Sequence, residues 1–356
     1  MNRLLPKILG ISIVLGSFVA GWLLMDMQAF LQAPVLNNQQ PIAYVIETGT
    51  TLKQVAGSLK KLNYLDESSY LVWYARWQGV ANRIKAGEYE FIPGIKPQEF
   101  LEQIVAGRVR QYALTIVEGW SFRQLMDAVN QLEKLEHTLT GLTQNEIMAR
   151  LGFPGQHPEG RFYPDTYNIN RGMTDAVFLQ RAYQTMEDFL DAAWQDRDEN
   201  LPYDNPYEAL VMASIIEKET AVPDERDQIA GVFVRRIKKG MRLQTDPTVI
   251  YGLAEQFDGN LTRRDLKLYT PYNTYLNNGL PPTPIAMPGG DSISAALHPA
   301  PGEALYFVSR GDGTHHFSAT VEEHNDAVSR YQLGKRMRTM SALPALKNNQ
   351  NQGVQN

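Results

Sequence analysis

Two glutamates stand at the end of an apolar segment, LVMASIIEKET at residues 210–220, and a carboxyl so placed could do acid–base chemistry. Wound as an α-helix at ~100° per residue, the segment gathers Val211, Met212, Ile215 and Ile216 on one broad face. Glu219 falls in the middle of that face, one turn on. Glu217 falls on the other side, near Leu210, Ala213 and Ser214, and Lys218 also points away from the apolar centre. A carboxyl group among apolar side chains is costly to ionise, so its pKa rises. A glutamate in that position keeps its proton near neutral pH and can give it to a glycosidic oxygen. An inward glutamate at a helix end can equally cap a neighbouring loop or pair with Arg226, Arg235 or Arg236 on the following helix, so the wheel alone leaves both roles open.

Hydrogen-bonding side chains follow. Residues 240–248 read GMRLQTDPT, where Gly240 ends a helix and Gln244, Thr245 and Asp246 come without apolar period. Polar groups converging near a carboxyl of raised pKa suit recognition of sugar hydroxyls. Asp246 is also predicted to cap a helix starting at Pro247, where proline fits the first turn. Tyr251, Tyr269, Tyr272, Asn273 and Tyr275 add aromatic and amide groups in and around a long loop at 270–288. They either stack on sugars or pack the loop onto its domain; Asn273 and Tyr275 are taken with Gln244, Thr245 and Asp246 as candidate substrate-binding residues.

Other chemistries lack their residues. The chain has no cysteine, which excludes a thiolate nucleophile, a Cys-ligated zinc site and a disulfide scaffold. No GxxxxGK[ST], GxSxG or HExxH occurs. The six histidines, His137, His157, His298, His315, His316 and His324, do not fall at metal-ligand spacing, so no metal or cofactor is expected. A net charge of -5 argues against a nucleic-acid partner.

The elements that must position these residues begin with an anchor. Residues 8–25, ILGISIVLGSFVAGWLLM, carry no charge. As a helix they reach about 27 Å, close to the hydrocarbon thickness of a bilayer. Arg3 and Lys7 precede the run, Asp26 follows it, and Trp22 suits the interface. The positive-inside rule then leaves the N-terminus in the cytoplasm and the rest outside. A cleaved signal peptide is the competing reading, disfavoured by the length of the run and the poor site at residues 28–30. Residues 29–40 read as a polar linker. A strand near 43–46, helices at 52–62 and 70–77, a strand at 87–91 and a helix around 100–105 make a small unit. A strand at 112–117 opens a larger one, with a turn-like stretch at 168–172, helices at 178–194, 208–220, 224–239 and 292–296, a strand at 305–309 and a helix at 321–333. The Asn/Gln-rich tail from 348 reads as disordered.

Several of these segments resemble one family. ASIIEKETAVPDERDQIAGVF (213–233), GMRLQTDPTVIYG (240–252), YNTY (272–275), GLPPTPIAMPG (279–289) and AALHPA (295–300) are similar to the MltG/YceG-like membrane-bound endolytic murein transglycosylases, as are VEGW (117–120), EGRFYPDTY (159–167) and the THHF and EEHN stretches. The resemblance covers nearly the whole chain after the anchor. It implies an α+β fold in six parts: a cytoplasmic N-terminus at 1–7, a transmembrane helix at 8–28, the linker at 29–40, a small LysM-like α/β subdomain at 41–110, a larger catalytic domain at 111–340 and a tail at 341–356. The family's catalytic residue is the second Glu of the EKE motif, which falls on Glu219. The implied reaction is cleavage of the MurNAc-GlcNAc bond within glycan strands, leaving a 1,6-anhydro-MurNAc end, with one carboxyl as acid and then base. The implied setting is a single-pass protein of the inner membrane with peptidoglycan as substrate, no metal or cofactor, and peptidoglycan synthases as partners. Two other readings stay open: a non-enzymatic, membrane-tethered peptidoglycan-binding scaffold, and a true hydrolase with Asp246 or another acid as second carboxylate.

Overall fold

A computed structural model describes residues 4–333. The tail expected to be disordered and Arg3, used above for orientation, lie outside the described residues. Among the described residues the chain forms helices and three two-stranded sheets, divided into two compact units.

The first unit begins with α1 (Leu4–Gln32). It is the one described helix long and apolar enough to cross a membrane, and none of its apolar window is buried. The helix runs past Met25 without a break, so the linker expected at 29–40 differs: Ala29 to Gln32 are helical, and Val35 and Leu36 are buried. Strands β1 (Ile42–Ile46) and β2 (Gly87–Phe91) pair antiparallel, from Ile42 opposite Phe91 to Ile46 opposite Gly87. Between them lie α2 (Leu52–Lys61) and α3 (Ser68–Trp77), and α4 (Pro97–Ala106) follows. Thr51 and Gln54 close α2 with a capping box. Leu52, Val55, Ala56 and Leu59, at helical spacing, turn inward to meet Tyr89, Phe91 and Phe100. The rings of Phe91 and Phe100 lie 4.6 Å apart. The order strand, helix, helix, strand, helix is the one the sequence predicts.

Strand β3 (Gln111–Thr115) and strand β4 (Thr166–Asn170) form the second sheet, and the chain passes from one unit to the other within them. The turn expected at 168–172 is thus partly strand. Residues 133–136 and 168–174 belong to the first unit. Helices α5 (Phe122–Gln131) and α6 (Gln144–Leu151) precede β4 and were not anticipated.

The second unit is built around α8 (Pro206–Glu219), which packs against α7 (Asp175–Gln195), α9 (Arg226–Lys238), α10 (Asp246–Leu253) and α11 (Gly290–Leu297). Every residue from Ala209 to Ile216 is buried, so α8 is apolar all round rather than on one face. Strands β5 (Tyr306–Ser309) and β6 (His315–Ser318) form a hairpin on which α12 (Val321–Val328) packs. A π-helical turn, Ser329–Leu333, follows α12. Strand β6 was not anticipated.

Candidate active site

Helix α8 starts where Asn205 accepts the Glu208 amide, with Pro206 in the first turn. It stops at Thr220, whose backbone is extended and whose hydroxyl accepts the Val222 amide. Glu219 is therefore the last residue of a buried helix, where the helix carbonyls oppose a negative charge. It is partly covered and lines a cleft of about 480 Å³. Burial pushes its carboxyl up to about 7; the Thr245 hydroxyl opposes this, Asp246 adds to it, and His315 and Arg236 pull it down. The Thr245 hydroxyl donates to Glu219 Oε1.

The neighbouring glutamate has a different task. Glu217 Oε2 accepts from the Gly289 amide at 3.0 Å and from the Ser292 hydroxyl at 2.7 Å, closing the start of α11. Its side of α8 is buried as well, which the helix wheel did not show. Lys218 turns outward and donates to the Gly119 carbonyl.

The candidate binding residues divide. Gln244, Asp246 and Tyr275 line the cleft with Glu219. Gln244 holds φ at +52°, a conformation that costs a non-glycine residue energy and often marks a functional site. Its amide donates to the Thr274 carbonyl, which keeps the turn in place. Asp246 is the first residue of α10, not its cap; Thr245 holds the cap position. Free of capping, the Asp246 carboxylate accepts the Tyr275 hydroxyl at 2.6 Å. Thr245 is buried and reaches the cleft only through Glu219; the Thr274 hydroxyl accepts its amide at 3.1 Å. Asn273 does not line the cleft. It is fully buried, its Nδ2 donates to the carbonyls of Leu266 and Leu268, and its Oδ1 accepts the Tyr275 amide at 2.9 Å. Asn273 shapes the loop that carries Tyr275.

The remaining wall comes from residues that the sequence did not mark as substrate-binding candidates. Arg236 lines the cleft and is locked by Nε to the Leu305 carbonyl and by Nη1 to the Leu243 carbonyl, both at 2.6 Å. Arg235 bonds the carbonyls of Ala300 and Ala304, and Arg226 pairs with Asp291. None of the three arginines makes an ion pair with Glu219 among the described residues. His315 also faces the cleft, and Glu225 grips it twice: Oε1 accepts the His315 amide at 2.8 Å and Oε2 lies 2.7 Å from Nδ1. Tyr306, Phe307 and His324 add aromatic surface. Among the described residues no three His, Asp or Glu side chains are grouped to hold a metal ion.

A second carboxyl of raised pKa lies in the same unit. Glu159 is only 4% exposed. Burial pushes it up to about 7, against the Phe122 amide, the Tyr251 hydroxyl and the Gly160 amide. It fastens the start of α5 to α10, since Oε1 accepts the Phe122 amide and Oε2 the Tyr251 hydroxyl.

Comparison with known proteins adds to this geometry. Residues 44–330 match the sequence profile of the YceG-like family. The chain is similar to a Bacillus subtilis (strain 168) protein named endolytic murein transglycosylase, 29% identical over 337 residues that span 90% of this chain and 91% of that protein. A protein of the same name from Streptococcus pneumoniae serotype 2 (strain D39) is 24% identical over 330 residues, 83% of this chain and 59% of its own length. The crystal structure of a YceG-like protein from Listeria monocytogenes superposes with a TM-score of 0.51 at 29% identity, over 81% of this chain and 99% of that one.

Proposed function

Because the chain belongs to the YceG-like family, we propose that it is a murein transglycosylase that cuts glycan strands endolytically, with Glu219 as acid and then base. The observation that carries the reading is a carboxyl held near neutral pKa at the wall of a cleft of about 480 Å³, beside polar groups that are themselves fixed. The protonated Glu219 gives its proton to the oxygen joining MurNAc C1 to GlcNAc. The C1–O bond breaks, the GlcNAc fragment leaves with a free hydroxyl, and positive charge develops at C1. The ionised Glu219 then takes the proton of the MurNAc C6 hydroxyl as that oxygen bonds to C1. A 1,6-anhydro ring results, no water is consumed, and Glu219 is protonated again. Gln244, Asp246 and Tyr275 are the groups proposed to hold the sugars, with Thr245 setting the carboxyl.

The same reading treats α1 as an inner-membrane anchor with the catalytic unit on the periplasmic side, and the small unit as LysM-like. Release of nascent strands would set the enzyme beside peptidoglycan synthases. Asp246 on the same cleft favours one alternative, hydrolysis with two carboxylates. Mass spectrometry of glycan products, wild type beside Glu219→Gln, tests the assignment. Anhydro-MurNAc ends from wild type alone are expected. Products one water heavier would establish hydrolysis, and undiminished cleavage by Glu219→Gln would remove Glu219 from the reaction.

A further inference from the structure

Two tryptophans stand out on the first unit. Trp73 is 61% and Trp77 81% exposed, one turn apart on α3, and such rings are rarely left bare without a partner. They are not isolated. With Arg76 they form one wall of a groove of about 740 Å³, whose other wall is Leu24, Met27 and Leu31 of α1. The two helices are joined there: Tyr70 at the start of α3 donates its hydroxyl to Asp26, and the rings of Tyr70 and Phe30 lie 5.6 Å apart. Both helices belong to the same compact unit.

The groove has a definite height. Leu24 lies within the uncharged run that ends at Met25 and is 71% exposed, and Trp22, Val19 and Phe18 toward the N-terminus are exposed as well. From Leu24 to Leu31 the helix climbs about 10 Å. That distance is comparable with the headgroup zone beside the hydrocarbon core, ~5–8 Å on each side. The groove therefore starts where the lipid-facing surface of α1 stops and continues that surface without interruption. Its aromatic and basic chemistry is that of the interface, where indole rings sit among headgroups and an arginine meets lipid phosphate.

We propose that α3 is a membrane-contacting helix: Trp73 and Trp77 enter the headgroup region of the leaflet from which α1 emerges, and lipid fills the groove between the two helices. The inference rests on α1 spanning the bilayer. It makes the small unit a body seated on the membrane surface, not one hung from a flexible tether.

Tryptophan emission of the full-length chain, reconstituted in phosphatidylcholine vesicles, decides the matter. The difference between Trp22→Phe and Trp22→Phe/Trp73→Phe/Trp77→Phe reports the pair alone, and the difference between wild type and Trp22→Phe reports the anchor. Lipids brominated near the headgroup should quench the pair's emission to about half or less, and lipids brominated near the chain terminus should quench it less, as befits interfacial rings. A pair that escapes both lipids while Trp22 is quenched would overturn the proposal and leave the anchor standing. Escape of both signals would overturn the proposal together with the anchor. A pair shielded from bromolipid and from aqueous iodide alike would be covered by protein, which also overturns it.

Discussion

A group that must give a proton and then recover one works best with a pKa near the pH at which it operates. Glu219 meets that condition by position: it ends a buried helix and takes a single hydroxyl, from Thr245, in partial compensation. Its carboxyl at about 7 predicts that kcat/KM falls tenfold per pH unit above about pH 7, as the acid form is lost. Thr245→Val removes the donor that favours the ionised form, so the alkaline limb should move to higher pH; a limb that stays in place would assign the limb to another group. Glu219→Gln should lower kcat by ~10²–10⁴ with the fold retained, measured by product formation and circular dichroism. Glu219 was legible in the sequence because its placement depends on one helix. His315 and Glu225 were not, since they meet across 90 residues and on a hairpin whose second strand gave no clear alternation. The place of Asn273 away from the cleft was not legible for a related reason. Its type suits sugar recognition, but its bonds to the Leu266 and Leu268 carbonyls are decided by how the loop closes on itself.

Elements with a strong apolar period were legible near their ends: α2, α4, α7 and α9 fall close to where spacing puts them. Helices α5 and α6 were missed although each carries a capping box, Ser121 with Gln124 and Thr143 with Glu146, which would have marked their starts. Strand β4, TYNIN, has polar residues at alternate positions and is specified by pairing with β3 more than by its own composition. At this scale the EKE motif serves two helices at once, because Glu219 faces the cleft while Glu217 closes α11. Glu217→Ala should cost about 1–2 kcal/mol in urea unfolding, the usual value of a lost helix cap, and Glu217→Gln less, since its amide oxygen can still accept from the Gly289 amide. Gly289→Ala should cost less than Glu217→Ala: a Cβ there would come within 1.9 Å of Glu118 Oε1, but that is the end of an exposed side chain that can turn away. A Glu217→Ala chain as stable as the wild type would remove Glu217 from the support of α11.

At the scale of the whole chain, two cores are built separately, and the groups of raised carboxyl pKa at about 7 both lie in the second unit. This gives each of the two carboxyls a contribution to stability whose sign is fixed, opposite to that of His157 and His324, whose pKa values burial lowers. Glu159 has a folded pKa above its ordinary value of 4.5, so the native state holds a proton that the unfolded chain releases. Below about pH 4.5 both states are protonated and the contribution is complete. As pH rises toward 7 the unfolded chain ionises first and stability falls; above about 7 both states are ionised and the loss levels off. The shift corresponds to about 3 kcal/mol across that window for Glu159, an order of magnitude set by its burial. Glu219 acts in the same direction. Denaturant unfolding at a series of pH values should therefore show the second unit weakening between pH 5 and 7. Glu159→Gln should flatten roughly half of that slope, because Gln keeps an acceptor for the Phe122 amide without a charge to bury. Glu159→Gln/Glu219→Gln should flatten most of the rest. A slope between pH 5 and 8 left unchanged by Glu159→Gln/Glu219→Gln would mean that neither carboxyl keeps its proton in the folded state, and the acid role of Glu219 would lose its physical basis along with it.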